Sequence, residues 1–299
     1  MPALLTASDS HDAMRTHSIT AFLIAAAAVV IAPRAHAGRG AGSLKFLADN
    51  TDAVVLVDVA KGRKSAVFQK GFELASDKVP QLETLQLDKI DTVIAGHVSS
   101  TEMVVVLEGK VDAVLADAKK TSSASAKHGG ITYWTTTDGE FALIDKRLVI
   151  ASAGTMDQVI DRAADKKRAK GPAAVRTWLA AASGTPAIVL GAGPTGQVRK
   201  DLAKRFGAAP QFATISVGTA SNLTLELRAL FPDGATAAAA EKALDEAVSA
   251  DTKDQLEAFV GKDFADSIQV DRDAATVRAS AVMTSEEVDK VVGVARMLM

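Results

Sequence analysis

One order of predicted elements occurs twice along the 299 residues of this chain: strand, helix, hairpin, helix, hairpin, helix. Each pass closes with the same helix-start pattern, Thr155 with Gln158 in the first pass and Thr284 with Glu287 in the second. The two patterns lie about 130 residues apart, a spacing that indicates two similar structural units. The sequence therefore predicts an α+β fold of two similar units, each an antiparallel sheet covered by helices.

The boundaries of these units follow from the element order and from a break at Gly171 and Pro172. We expect residues 1–37 to contain an N-terminal extension and a secretory signal. Residues 38–171 are then predicted to form the first α+β unit, and residues 172–299 the second.

Hydrophobic patterning sets the predicted elements of the first half. Apolar or β-branched runs predict strands at residues 53–59, 92–98, 103–107, 131–136, 141–144 and 148–151. Helical spacing predicts helices at residues 66–75 and 111–120, and a third that runs from Thr155 to the basic residues 166–170. Residues 119–130 are polar and end in glycine, which predicts a loop.

The second half shows the same kinds of pattern. Strands are predicted at residues 187–190, 212–217, 223–230, 268–270 and 276–282. Helices are predicted at residues 197–206, at residues 235–248 with a continuation toward 259, and from Thr284 onward.

A secretory signal pattern lies near the N-terminus. A basic start at residues 14–17 leads into an apolar run at residues 19–32, and the small residues of an A-x-A cleavage site follow at 35–37. We expect translation to start at Met14 and cleavage to follow Ala37. The predicted location is the periplasm or the extracellular space, with no stable membrane span after cleavage, because the apolar run is shorter than a bilayer span of about 20 residues.

Composition excludes several classes of protein. The chain has no cysteine, so it forms no disulfide bonds and carries no lipid-anchored cysteine. A net charge of −2 gives no electrostatic reason to expect a nucleic-acid partner. Aromatic residues make up only 4% of the chain, which disfavours a carbohydrate-binding surface of exposed rings. In overall texture, through no single motif, the chain after its signal resembles uncharacterised exported α+β proteins of Gram-negative bacteria. That resemblance implies a compartment and no activity.

One motif suggests a cofactor. Residues 191–196, Gly-Ala-Gly-Pro-Thr-Gly, match G-x-G-x-x-G between a predicted strand and a predicted helix, where backbone amides can approach a pyrophosphate. Gly191, Gly193 and Gly196 are therefore the candidate cofactor-binding residues. However, residues 212–221 contain no acidic residue for a ribose, and Lys200 stands where the helix of such a motif needs a small side chain. A turn that needs positive φ explains the glycines without a ligand, so no cofactor is predicted.

Other polar residues give no catalytic or metal signature. His97 and His128 have no neighbouring ligands at metal-site spacing, and we expect His97 on an edge strand and His128 in a solvated loop. The chain contains no H-E-x-x-H, G-x-S-x-G or S-x-x-K sequence, so no catalytic residue is predicted. Asp157 and Asp161 lie one helical turn apart and are interpreted as helix-start charges. Lysines and arginine at 166–170 are interpreted as a helix C-terminus that complements the helix dipole.

These observations favour a non-catalytic exported envelope protein that binds a partner protein or an apolar ligand. The ligand would occupy a cleft between sheet and helices, which we predict to be lined by residues such as Val104, Val106, Phe141 and Leu143. The alternative is an enzyme or binding protein that uses residues 191–196 for a nucleotide or a phosphate.

Overall fold

The computed structural model describes residues 40–70, 72, 86, 88–98, 102–182, 186–219 and 222–298. The predicted signal at residues 14–37 lies outside the described residues, as does most of the region between 71 and 87. The described residues form one sheet of twelve strands with helices on both of its faces.

All neighbouring strands of the sheet are antiparallel. The strands are β1 (Ala53–Asp58), β2 (Ile90–Val98), β3 (Glu102–Gly109), β4 (Ala124–His128), β5 (Ile131–Thr135), β6 (Glu140–Ile144), β7 (Arg147–Ala151), β8 (Ile188–Ala192), β9 (Phe212–Thr219), β10 (Leu223–Leu230), β11 (Gln269–Asp273) and β12 (Thr276–Met283).

The strand order across the sheet is β11-β12-β10-β9-β8-β1-β2-β3-β7-β6-β5-β4. β1 and β8 pair near the middle, from Ala53 opposite Ala192 to Val57 opposite Ile188. Outward from β1 the order is β2, β3, β7, β6, and outward from β8 it is β9, β10, β12, β11. The hairpin of β4 and β5 extends the sheet beyond β6, so that β4 and β11 are the two edge strands.

The helices connect these strands. They are α1 (Val59–Gly62), α2 (Asp112–Lys120), α3 (Met156–Ala164), α4 (Ala173–Ala181), α5 (Gly196–Phe206), α6 (Gly234–Ala247), α7 (Ala250–Phe259), α8 (Lys262–Ser267) and α9 (Ser285–Leu298). Residues 66–70 and 72 are also helical, and 3₁₀ helices lie at Ala41–Phe46 and Lys166–Arg168.

Alternation of side chains along the strands gives the sheet a first face and a second face. The first face carries Val55 and Val105 and continues through Val217 into the second half, under α2, α8 and α9. The second face carries Val54 and Val104 and is covered by α3, α4 and the first 3₁₀ helix. A smaller core packs α6 against β10 and β12 on the first face. The apolar core therefore lies on both sides of the sheet, as the near-continuous β-branched runs of β1 and β3 require.

The prediction of an α+β fold with antiparallel strands and covering helices is confirmed, and the strands form one large sheet rather than one sheet in each half. The prediction of a loop at residues 119–130 is wrong, because Ala124–His128 form β4. Alternation is weak in this strand of small and polar residues, so its sequence carries little strand signal. Helix α4 follows Gly171 and Pro172 and was not predicted, nor was α8.

Candidate functional site

A row of four apolar side chains crosses the first face in the second half of the molecule. Leu190 of β8 pairs with Ile215 of β9, Ile215 pairs with Leu227 of β10, and Leu227 pairs with Ala279 of β12. We call these four residues the apolar row. Because adjacent strands lie about 4.8 Å apart, the row is about 14 Å long.

The described helices leave one side chain of the apolar row partly uncovered. Ile215 is 42% exposed although β9 lies in the interior of the sheet, and the other three side chains are half-buried. In the neighbouring rows, Val217 packs into the core on one side, and Ala229 and Val277 pack under α6 on the other. Exposure along the apolar row is therefore greatest at Ile215, in the interior of the sheet.

Two helices of the second half carry exposed apolar side chains of their own. Phe259 at the end of α7 is 66% exposed, and Val198 in α5 is 60% exposed. Helix α7 packs on α8 and α5 packs on α6, so each of these two helices rests on another helix. Phe259 and Val198 are thus exposed apolar side chains of the second half in addition to Ile215 of the apolar row.

The cleft predicted from the sequence is not formed by its four residues. Val104 and Val106 are buried on the second face, whereas Phe141 and Leu143 lie on the first face. Phe141 stacks on Trp134 with 5.7 Å between ring centroids, and the ammonium of Lys119 lies over the Trp134 ring. The four residues predicted to line one cleft therefore lie on two different faces of the sheet. Alternation in the sequence predicts the strands. It does not predict the register between neighbouring strands, and the register decides which of their side chains share a face.

Sequence reasoning did not select Ile215. The signal was present: residues 213, 215 and 217 of β9 and residues 225, 227 and 229 of β10 alternate as apolar positions. What the sequence lacks is the arrangement of the helices above them, which depends on tertiary packing.

The glycines of the cofactor motif have packing partners in the structure. Gly191 is buried in β8, and a Cβ at this position would lie 2.6 Å from Cβ of Trp178. Gly193 lies under the same indole and donates its N–H to the carbonyl of Asp52 at 3.0 Å. Gly196 begins α5 with φ of 55°. Gly191 is therefore needed for α4 to lie close to the sheet, and Gly193 fits tightly against the same side chain.

The strands around this motif run antiparallel. β8 pairs antiparallel with β1 and with β9, the strand that follows α5. A dinucleotide-binding unit instead joins two parallel strands through its helix. Thr195 makes no side-chain cap to α5, and Arg199 and Lys200 are exposed near the start of that helix.

The two histidines of the described residues both contact carboxylates. His97 lies on the interior strand β2, not on an edge strand as expected, and its Nδ1 is 3.0 Å from Oδ1 of Asp52. His128 ends β4 and lies against α3, where its Nε2 is 2.7 Å from Oδ1 of Asp161. The expectation of a solvated loop residue is therefore wrong for His128. The hydrogen bond with Asp161 raises the pKa of His128, more than burial lowers it.

The basic residues at 166–170 do not end α3, because that helix stops at Ala164. Arg168 is held by Asp49 at 2.8 Å and by the carbonyl of Leu47 at 2.9 Å. The cation in the last turn of α3 is Arg162, which pairs with Glu102. Within the described residues, no cluster of His, Asp and Glu has the arrangement of a metal site.

Comparison with known proteins finds similarity at the level of the fold. The structure superposes on crystal form III of the protein TP0453 with a TM-score of 0.50 and 11% sequence identity, over 84% of this chain and 97% of that chain. Crystal form I of the same protein gives a TM-score of 0.49 and 10% identity, over 84% of this chain and 96% of that chain. The similarity to crystal form III shows a shared fold alone. Comparison with protein-family models and with curated protein sequences gave no match.

Among the described helices, none combines the length and the hydrophobicity that a membrane crossing requires.

Proposed function

We propose that this chain is a non-catalytic exported protein that binds an apolar ligand along the apolar row. The observation that carries the proposal is Ile215, a large aliphatic side chain that is 42% exposed in an interior strand. An aliphatic side chain left in water forgoes roughly 1 kcal/mol or more of burial energy, so an occupant that covers it gains that energy on binding.

The geometry of the apolar row favours an elongated ligand. The four side chains of the apolar row lie side by side across four strands and contain no polar group. A hydrocarbon chain or an apolar peptide segment about 14 Å long would lie along the row and contact all four strands. A partner protein that inserts such a segment is the second form of the same proposal.

Binding of an uncharged naphthylamine dye, followed by its fluorescence, tests this proposal. Ile215→Gln is expected to weaken dye binding about fivefold to tenfold, because it places an amide in the apolar row. Leu143→Gln is the matched control: Leu143 is 37% exposed on the same face in the other half. Equal dye affinity in the two variants, or no dye binding by the wild-type protein, would overturn the proposal of an apolar ligand site.

We further propose that export precedes function, with cleavage after Ala37. The sequence pattern at residues 14–37 supports this step. N-terminal sequencing of the protein purified from the periplasm is expected to begin at Gly38. A chain that retains the residues before Gly38 would contradict it.

We also propose that residues 38–171 and 172–299 are two units of one architecture. The support is the strand order, since β1-β2-β3-β7-β6 and β8-β9-β10-β12-β11 match position by position. An antiparallel pair of β1 and β8 joins the two sets. Hydrogen exchange that protects the two sets as separate cooperative groups would support this division, and one indivisible group would contradict it.

The alternative function, nucleotide or phosphate binding at residues 191–196, has its own support and test. At the start of α5, the side chain of Thr195 makes no hydrogen bond to the helix, and Arg199 and Lys200 are exposed nearby. Gly193→Val would disturb the contact with Trp178, so Lys200→Gln is the better variant, because it separates binding from folding. Calorimetry with ATP and with inorganic phosphate is expected to show heat that falls in Lys200→Gln. Absence of heat with the wild-type protein would exclude this alternative.

A further inference from the structure

The β4–β5 hairpin is an addition to the sheet at one edge. The second half has the strand order β8-β9-β10-β12-β11. Among its described strands, none corresponds to β4 or β5. The first four residues of β4 are exposed, and the outer edge of the strand has no partner strand among the described residues. An edge of this kind is a potential pairing site for another strand, so what holds the hairpin in place matters.

His128 connects this hairpin to α3. Its Nε2 is 2.7 Å from Oδ1 of Asp161, and its Nδ1 is 3.7 Å from Oδ1 of Asp157. The two carboxylates lie one turn apart on the same face of α3. At the turn of the hairpin, a Cβ on Gly129 would lie 3.2 Å from Cγ2 of Ile160, so the hairpin rests directly on the helix.

The other charged and titratable groups around His128 belong to three strands. Tyr133 of β5 shares a hydrogen bond with Asp157, and Glu140 of β6 acts on Tyr133 through its charge. Burial and these two carboxylates raise the pKa of Tyr133, so the phenol stays neutral near pH 7. Lys127 of β4 points to the opposite face of the sheet by alternation. The charged groups that act on His128 are therefore the carboxylates of Asp157 and Asp161, and Tyr133 shares the first of them through a hydrogen bond.

The protonation state of His128 decides how many of these carboxylates it can bind. An imidazolium has two N–H donors and can serve Asp157 and Asp161 together, whereas a neutral imidazole has one N–H donor. We propose that His128, Asp157 and Asp161 form a pH-dependent latch that holds the β4–β5 hairpin against α3 when His128 is protonated. Deprotonation releases one carboxylate and loosens the edge strand.

The direction of the pH dependence follows from the pKa. The hydrogen bond with Asp161 is the largest influence, and with the charges of Asp157 and Asp161 it raises the pKa of His128 above its ordinary value of 6.5. A raised folded-state pKa means that the latch is fully closed below the ordinary pKa. Its stabilisation is lost as the pH rises through the raised value.

Hydrogen exchange followed by mass spectrometry at pH 6 and at pH 9 tests the latch, after correction for the intrinsic pH dependence of exchange. Protection of residues 124–135 is expected to fall about twofold to fivefold at pH 9 relative to pH 6, the range typical of exposed ion pairs. The hairpin of β11 and β12 is the internal control, because residues 269–283 contain no histidine.

Two substitutions distinguish the latch from a general effect of pH. His128→Gln is expected to show the low protection at both pH values. His97→Gln removes the other histidine–carboxylate contact and is expected to behave as the wild-type protein at residues 124–135. The proposal is overturned if wild-type protection does not change with pH, or if His128→Gln keeps the wild-type protection at pH 6. NMR titration of the His128 ring in Asp161→Asn provides a second check, with the pKa expected to fall toward its ordinary value.

Discussion

Helices α3 and α9 begin with the same sequence pattern and occupy similar positions, one after β7 and one after β12, yet they pack on opposite faces of the sheet. α3 buries Met156 and Ile160 on the second face, and α9 buries Val288 on the first face. Their caps differ as well. Thr284 and Glu287 exchange hydrogen bonds of 2.9 and 3.2 Å, whereas Thr155 makes no side-chain cap to α3.

The difference begins in the connection from strand to helix. Thr284 alone separates β12 from α9, and its N–H is available to the Glu287 carboxylate. Four residues separate β7 from α3, and they form a turn in which Gly154 has φ of 77° and Thr155 N–H donates to the carbonyl of Ser152. The Thr155 hydroxyl also donates to Ser152. Because the N–H of Thr155 is bonded within the turn, it is not available to the Gln158 side chain, and the reciprocal half of a capping box is absent.

The start of α3 is capped from another strand instead. Glu140 of β6 is buried on the second face and accepts the N–H of Met156 at 2.9 Å. In this pair of helices the shared pattern marks where each helix begins, and the helix with the longer preceding connection packs on the second face and takes its cap from another strand.

The placement of α9 has a consequence for the other face. In the second half, the second face between β9 and β11 carries polar side chains, and Glu226 there pairs with Arg228 and with Arg278. Alternation places Glu226, Arg228 and Arg278 on that face in adjacent positions of β10 and β12. Because α9 packs on the first face, its apolar side chains do not cover these polar residues of the second face.

The largest effect is expected at the α9 cap. Glu287 is only 4% exposed, and it accepts hydrogen bonds from Thr284 and from the N–H of Phe264 at the start of α8. Glu287→Ala leaves these donors without their acceptor and is expected to lower the free energy of unfolding by about 3 kcal/mol. Urea denaturation at pH 7 measures the change.

The same variant has a pH signature. Burial raises the pKa of Glu287, but the hydrogen bonds from Thr284 and Phe264 outweigh burial and leave the pKa below its ordinary value. A lowered folded-state pKa gives stability that is present above the ordinary value and is lost as the pH falls through the folded value. The difference between wild type and Glu287→Ala should therefore shrink below about pH 4. A difference that is constant with pH would show that the loss comes from packing and not from the carboxylate.

A smaller effect is expected for Glu140→Ala, because Glu140 caps one helix and accepts one helix N–H. The expected loss is about 2 kcal/mol, from an amide left without its acceptor and from a negative charge removed from the positive end of α3. Urea denaturation of Glu140→Ala and of Glu140→Gln measures it, since Gln keeps an acceptor and should lose less. Equal losses in the two variants would indicate that the amide of Met156 does not need this side chain.

The elements of the fold were predictable to a large extent, and their arrangement was not. β-branched runs and the Asp138-Gly139 turn identified β1, β5 and β6 to within a residue or two, because periodicity and turn chemistry are local. β4 was missed because Ala-Ser-Ala-Lys has little strand propensity of its own and is placed by pairing with β5.

The candidate site was less predictable than the fold. The apolar row depends on four strands that lie in register and on helices that leave Ile215 uncovered, and neither property is encoded near residue 215. Asp157 and Asp161 were visible as a pair, but their partner His128 comes from a strand that the sequence presented as a loop. The glycines of residues 191–196 were visible as a motif, and their contact with Trp178 was not, because α4 was not predicted.

The smallest effect separates the two threonines that share the pattern. Thr284→Ala removes the acceptor of the Glu287 N–H and is expected to lower the free energy of unfolding by about 1 kcal/mol, the usual value of an N-cap side chain. Thr155→Ala removes only the hydroxyl contact with Ser152 within a turn that keeps its backbone hydrogen bond, so a loss of about 0.5 kcal/mol or less is expected. The same urea denaturation on both variants measures the difference. Equal losses would mean that the two threonines cap their helices alike, and the connection length would then not explain why α3 and α9 differ.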